Sequence, residues 1–473
     1  MPFKIVYLWT DILLWFLVIS VTISILIMRR DQQWWSTWQQ IFHSRQGIIS
    51  GLILLTFVMI GLLDSIHLKF PMHIQPSYDG AVYEATSVSV LDLILWPVGQ
   101  GYEETYSAPF SLHLFVKKMM ADGNQFILDY PRLLWGGAQL TDESQRAGNI
   151  ISILIPAFIK AAITWSIILM SSWLYQIKKQ KNIRQAWRNL WCDSNNKYIC
   201  KRVPSRTAFI TLALIIILIF ATKDLAVYYH IMGTDKIGTD VFYQGVKSIR
   251  TGLIIGTVTT LFMLPVALMG GMLAGYFRGW VDDVIQYIYS TLNAIPSVLL
   301  IAAAALVLQL YIIQHEAWFP SVEQRADARL LMLCMVLGLT NWTTLCRLLR
   351  GETLKLREAD YVLAARTLGV SSYKILWRHI LPNVMPIVIV IMVLDFSTFI
   401  LAEAVLSYIG VGVDPSTSSW GNMINRARLE LARDPAVWWS LATAFIMMLM
   451  LVLSANLFAD KVRDAFDPKF KQV

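Results

Sequence analysis

Few side chains in this chain have the type and spacing for chemistry. Asp235 and Asp240 lie in the glycine-rich stretch His230-Ile231-Met232-Gly233-Thr234-Asp235-Lys236-Ile237-Gly238-Thr239-Asp240-Val241. Gly233, Thr234, Asp235, Gly238 and Asp240 there predict a structural turn whose carboxylates cap backbone N–H groups and begin the next helix, with metal ligation as the alternative. Asp395 and Glu403 fall within or beside a long apolar run, eight residues apart and so roughly on one helix face. Ionisable groups at such depth face a cavity or a partner. Asp395 and Glu403 are therefore candidates for a cavity wall or an internal pair.

Other chemistries lack their residues. His113, His315 and His379 are isolated, with no H-E-x-x-H spacing, and Cys192 and Cys200 have no histidine or second cysteine pair beside them, so no metal site is read. Cys334 and Cys346 lie in or beside an apolar run, and the four cysteines form no disulfide framework. No Ser/His/Asp or G-x-S-x-G arrangement supports a membrane hydrolase. A phosphate-binding G-x-x-x-x-G-K-[ST] is also missing, so any nucleotide-derived energy must come from a partner.

A charged island at 347–382 separates two long apolar runs. Tyr361, Ala364, Ala365 and Leu368 fall at i, i+3, i+4 and i+7, which puts them on one helix face. Gly369 stops that helix, because glycine enters the left-handed conformation cheaply. Ser371 or Ser372 caps a second short helix that Pro382 ends. The small residues allow close approach by another protein's backbone.

Those elements need a membrane around them. Of 473 residues 56% are hydrophobic and 15% charged, and mean hydropathy is +0.53. That much apolar surface predicts an all-α polytopic membrane protein. The net charge of +8 comes from Lys and Arg at the ends of apolar runs, as in cytoplasmic loops, and implies no nucleic acid. Nine spans are predicted, at about 11–28, 47–63, 150–175, 207–228, 250–275, 285–313, 328–346, 384–408 and 439–458.

The basic loop 176–206 predicts a cytoplasmic side; 64–149, acid-rich and modest in Lys and Arg, predicts the outside. The island and the tail with Lys461, Arg463, Lys469 and Lys471 then face the cytoplasm. Lys4 before the first span, against Arg29 and Arg30 after it, predicts an outside N-terminus and no cleaved signal peptide. Pro97 and Pro109 break the short apolar stretches in 64–149, so that segment reads as a small folded or membrane-surface element. The tryptophan clusters Trp34, Trp35, Trp38; Trp187, Trp191; and Trp438, Trp439 read as interfacial anchors.

Four stretches carry a family resemblance. Tyr361 to Gly369, followed by Ile380-Leu381-Pro382, resembles the "EAA" cytoplasmic loop of ABC-importer permeases. The stretch from His230 to Val241, the pair Gly275-Tyr276-Phe277-Arg278-Gly279-Trp280-Val281-Asp282 and Ala294-Ile295-Pro296-Ser297, and Leu406 to Met423 with the closing Arg463-Asp464-Ala465-Phe466-Asp467-Pro468 are similar to the C-type permease of oligopeptide/dipeptide importers. This covers about 205–470. Three positions depart from the pattern: Leu363 replaces the glutamate of "EAA", Thr239 replaces an arginine, and Arg278 interrupts a glycine pair.

The resemblance implies a type I ABC-importer permease core of about six transmembrane helices at 205–470, with the coupling loop at 347–382, after a 1–200 extension of about three. It implies half of a translocation path for peptides or related small solutes in a bacterial cytoplasmic membrane, with Asp395 either lining that path and meeting a substrate amine or pairing internally, Glu403 in structural pairing, no cofactor bound by this chain and ATP used by partner ATPase subunits. Partners would be a second homologous permease, cytoplasmic ATP-binding subunits, an extracytoplasmic solute-binding protein and the lipid itself. In the coupling role, Ala364 and Ala365 give close approach, Gly369 the corner, and Arg357, Glu358 and Arg366 rim contacts, with Tyr361 on the same helix. The rival is a stand-alone secondary transporter or channel, which would show inverted repeats across two halves; no convincing repeat is seen.

Overall fold

In the computed structural model, residues 4–29, 32–71, 87–99, 101–122, 125–140, 142–180, 205–319 and 321–466 are described. Cys192, Cys200, Trp187, Trp191 and most of the basic loop 176–206 lie outside them, as do Asp467, Pro468, Lys469 and Lys471. The division between extension and core at 200–205 falls there too.

Helices dominate. They are α1 (Trp9–Met28), α2 (Gln32–His43), α3 (Arg45–Asp64), α4 (Arg146–Gln180), α5 (Ser205–Ala226), α6 (Val241–Phe277), α7 (Trp280–Ala294), α8 (Ser297–Gln314), α9 (Val322–Arg357), α10 (Asp360–Thr367), α11 (Ser372–Ile409), α12 (Trp420–Glu430) and α13 (Trp439–Phe466). Among the described residues nine helices are long and apolar enough to cross a bilayer: α1, α3, α4, α5, α6, α8, α9, α11 and α13. Their outward stripes are large and apolar, as with Ile151, Ile155, Ile159 and Ile163 on α4, which suits lipid and not water.

By contacts the chain forms two compact units. The first comprises 1–6, 38–250 and 418–458. It holds α3, α4, α5, α12 and two small sheets: β1 (Lys4–Val6), β2 (His67–Lys69) and β3 (Val88–Ser89) pair antiparallel in that order, and β4 (Lys118–Asp122) pairs with β5 (Gln125–Asp129). Lys160 on α4 reaches Asp224 on α5 at 2.8 Å, and the Trp165 indole donates to the Phe209 carbonyl at 3.1 Å. The second unit comprises 7–37, 251–417 and 459–473. In its core Leu337, Cys346 and Leu349 of α9 are buried, and a Cβ on Gly338 would meet Thr259 and Phe262 of α6.

Three differences from the sequence reading have local causes. The span expected at 285–313 is two helices, α7 and α8. Ile295 is extended (φ −90°, ψ 131°) because Pro296 excludes the helical conformation from the residue before it. The span expected at 328–346 runs on to Arg357, so 347–357 continues α9 and only 360–380 forms the short helices. Pro382 ends nothing: the helix from Ser372 continues to Ile409 through a π-helical turn at Leu376–Ile380. That wider turn shifts the hydrogen-bond register ahead of the proline, and the Asn383 side-chain amide donates to the His379 carbonyl at 2.6 Å.

Candidate functional site

Two regions hold the residues singled out by sequence. In the second unit, α9 ends at Arg357, Ala359 is extended, and α10 starts without a side-chain cap. Val362 and Ala365 are buried and fasten α10 to its own chain. Tyr361, Leu363, Ala364, Arg366 and Leu368 are exposed, Leu368 at 83%. The two adjacent alanines, about 100° apart on a helix, therefore separate: Ala364 faces outward, and Ala365 cannot offer the close approach expected of it. Gly369 has φ +77°, with its N–H on the Arg366 carbonyl at 3.1 Å and the Val370 N–H on the Ala365 carbonyl at 3.1 Å, a Schellman stop that needs glycine. Ser371 sits at the start of the following helix without a side-chain capping bond; Ile375, Leu376 and Ile380 anchor that helix, and Tyr373 and Trp377 are exposed. Asn383 donates to the Tyr361 hydroxyl at 3.2 Å.

Two ion pairs brace this region. Arg350 donates to Asp282 through Nε at 2.6 Å and Nη2 at 2.7 Å, joining α9 to α7. The Arg350 hydrogen bond holds the Asp282 carboxyl below the usual carboxylate range. Arg278 reaches Glu358 at 2.9 Å. Arg278 has φ +57°, so the residue that interrupts the glycine pair occupies a conformation glycine would enter freely. Arg357 is half-buried. Asp395 shares a face with the buried Val384 and Val388, eleven and seven residues earlier. No hydrogen bond or ion pair reaches it among the described residues, while Glu403 accepts from the Ser407 hydroxyl at 2.7 Å.

In the first unit, the glycine-rich stretch is a closed polar knot. Asp235 Oδ1 accepts from the N–H groups of Ile237 and Thr239, each at 3.0 Å. Asp240 Oδ1 accepts from the Tyr243 N–H at 2.9 Å and so caps α6. Asp240 Oδ2 is 2.7 Å from His230 Nδ1, and His230 Nε2 is 3.4 Å from Glu103. Glu103 also accepts from the N–H groups of Leu134, Trp135 and Gly136 at 2.9, 2.8 and 3.1 Å. Gly238 (φ +76°) packs so closely that a Cβ would collide with the Glu103 carbonyl. The Thr234 hydroxyl accepts from the Ser107 N–H at 2.7 Å, and the Trp439 indole donates to the Thr234 carbonyl at 2.9 Å.

Burial opposes charge on His230, but its bonds to Asp240 and Glu103 prevail and push its pKa up to about 9. Burial would likewise raise Glu103; the His230 bond and the three backbone N–H groups outweigh it and hold the carboxyl low. Nearby, Lys247 of α6 lies 2.9 Å from Asp92 and 3.7 Å from Asp64. Burial of Asp92 is offset by the Lys247 charge and the Tyr243 hydroxyl bond, and its carboxyl is also lowered.

Sequence reasoning gave no role to His230, Glu103, Lys247 or Arg350. Glu103 and Lys247 belong to no quoted motif, and their partners are more than a hundred residues away in the chain. Trp439, expected as an interfacial anchor, is buried in this knot, while Trp438 beside it is 55% exposed. Among the described residues no cluster of three or more His, Cys, Asp or Glu could hold a metal.

Nine long apolar helices among the described residues, with a buried polar turn and an exposed short helix stopped by glycine, define a multi-pass helical membrane protein. Residues 267–472 match the model of the family described as the binding-protein-dependent transport system inner membrane component. The chain is 28% identical over 311 residues to the glutathione transport system permease protein of Pectobacterium atrosepticum, spanning 62% of this chain and 94% of that protein. It is 32% identical over 239 residues to the oligopeptide transport system permease protein of Mycobacterium bovis (50% of this chain, 76% of that one). It is also 32% identical over 242 residues to the dipeptide transport system permease protein of Alkalihalophilus pseudofirmus (51% and 73%). The chain belongs to this family, the ABC-importer permeases of the peptide type.

Proposed function

We propose that this chain is one of two homologous permease subunits of an ATP-driven importer for peptides or related small solutes. The observation that carries the reading is the outward apolar face of α10 and its corner. Leu368, 83% exposed, shares a face with the exposed Tyr361 seven residues earlier, on a helix fastened by Val362 and Ala365, and Leu363 is exposed on another side of it. Exposed apolar side chains gathered at a corner outside the spans are the kind of surface that a protein partner covers. The partner is a cytoplasmic ATP-binding subunit. ATP is consumed there, since this sequence carries no phosphate-binding glycine loop. Arg366 and Arg357 contribute rim contacts. Glu358 contributes indirectly, by holding Arg278 at the α6–α7 corner.

In this scheme closure of the ATPases pushes α10, and α9 and α11 transmit the push into the spans. Moving a two-state equilibrium from 1:99 to 99:1 takes about 5.5 kcal/mol of differential interaction. Two or three apolar side chains at about 1.5–3 kcal/mol each are of that order. The island and the C-terminus then face the cytoplasm, residues 205–470 form the core and 1–200 an extension, and an extracytoplasmic binding protein delivers the solute. The glycine-rich turn at Gly233, Thr234, Asp235, Gly238 and Asp240 is a structural scaffold. Asp395, unpartnered among the described residues, meets the amine of the solute.

The test is Leu368→Glu. It should abolish ATP-dependent uptake while the protein remains inserted, and normal uptake would contradict docking at α10. Gly369→Glu should do the same, with added strain at φ +77°. Asp395→Asn should weaken uptake of cationic solutes; unchanged uptake of every solute would remove Asp395 from the path.

A further inference from the structure

The hairpin β4–β5 is inside out. Its register pairs Lys118 with Asp129, Met119 with Leu128, Met120 with Ile127, Ala121 with Phe126 and Asp122 with Gln125. Side chains alternate along a strand, so Met119, Phe126 and Leu128 share one face. Lys118, Met120, Ile127 and Asp129 share the other. In a hairpin resting on a protein core the apolar face is the covered one. Here Phe126 is 79% exposed, Met119 71% and Leu128 57%, while Met120 and Ile127 of the mixed face are 42% and 45% exposed. The hairpin pairs with no further strand among the described residues.

Its root lies at the ends of membrane spans. Phe115, three residues before β4, packs edge-on against Trp439, the first residue of α13, with ring centroids 4.9 Å apart. His113 is 3.2 Å from Glu143, and Arg146, the first residue of α4, donates to the Phe110 carbonyl at 3.4 Å. Lys118 is tied to Glu104 at 2.7 Å, and Lys117 lies 5.5 Å from the Tyr130 ring centre. A five-residue strand is about 17 Å long, so the hairpin reaches the bilayer surface beside its root.

We propose that β4–β5 lies flat on the lipid bilayer beside the mouths of α4 and α13. Met119, Phe126 and Leu128 are sunk into the boundary between headgroups and acyl chains, and the mixed face is turned to water. A bilayer suits this face better than a protein that comes and goes, because a visiting partner would leave the apolar side in water between visits. The lipid contact of the spans thereby continues onto the loop between α3 and α4. This depends on the spans alone and not on which side the hairpin occupies or on any coupling to ATP.

The test uses the unaltered protein in nanodiscs of phosphatidylethanolamine and phosphatidylglycerol, with no partner added. Brief hydroxyl-radical exposure is followed by mass spectrometry of the peptide holding Met119 and Met120. These neighbours point to opposite faces. The expected result is slower oxidation of Met119 than of Met120, the reverse of their exposures in the protein alone, with Phe126 protected as well. Faster oxidation of Met119, or equal protection of both faces, would overturn the proposal. So would protection of Met119 that arises only when a solute-binding protein is added.

Discussion

The polar knot around His230 and the short helix α10 both rest on a glycine in the left-handed region, Gly238 in one and Gly369 in the other. They treat their surroundings in opposite ways. In the knot Thr234, Asp235 and Asp240 are buried, and Asp235 and Asp240 each meet several donors. Around Gly369 a Cβ would meet nothing within 4 Å, and Leu368 stands in the open. Both carry family motifs, so the motif alone does not separate a scaffold from a contact. The separation comes from whether the polar and apolar groups are already satisfied within the chain.

The sharpest way to break that contrast is to remove a charge from the knot. Asp240→Ala deprives charged His230 of its nearest partner and uncaps α6. Losing one member of a buried pair costs about 3–5 kcal/mol. Thermal unfolding of the purified protein in detergent should show this as the largest loss among these variants. A loss under about 1 kcal/mol would mean that the knot is no more than a surface turn.

Next comes Arg350→Ala, which leaves Asp282 without its two-pronged donor. Hydrogen bonds to charged groups contribute about 1.5–3 kcal/mol, reduced here by partial exposure. Stability should fall by less than for Asp240→Ala, and uptake should fall with it because the pair joins α7 to α9 above the island. A stability loss with unchanged uptake would detach the brace from coupling.

The pH dependence has a definite sign. His230 titrates near 9 in the folded protein, against about 6.5 when unfolded. Its contribution is fully present below about 6.5 and is lost as pH rises through about 9. Glu103 is lowered, so its contribution is present above the usual glutamate value of about 4.3 and is lost as pH falls. Melting temperatures should therefore decline on both sides of a mildly acidic to neutral maximum, and His230→Gln should flatten the alkaline decline. An alkaline slope unchanged in that variant would contradict the assignment.

The smallest effect is expected at Arg278→Gly. Relief of the left-handed conformation is worth about 1–2 kcal/mol, and the exposed bond to Glu358 lost with it is worth about 0.2–1 kcal/mol. Stability should rise slightly or stay level; a clear loss would show the ion pair to matter more than its exposure suggests.

The spans were legible in the sequence because about twenty apolar residues have few other uses. α10 was legible from its periodicity and from Gly369. Its packing was not, since Ala364 and Ala365 look alike in a sequence and only the neighbours decide which is covered. Pro296 broke a helix and Pro382 did not, because the π turn at Leu376–Ile380 adjusted the register before the second proline. The acids of 64–149 were read only as a mark of the outer side, and their use was hidden. Glu103 and Asp92 meet His230 and Lys247 across more than a hundred residues, a pairing that no local pattern encodes.

The account turns on α10 as the contact for an ATP-driven partner. The direct measurement is retention of the ATP-binding subunits by Leu368→Glu compared with the unaltered chain, in membranes where both are equally inserted and melt alike. Loss of the ATPases together with ATP-dependent uptake is the expected result. Full retention with normal uptake would contradict it.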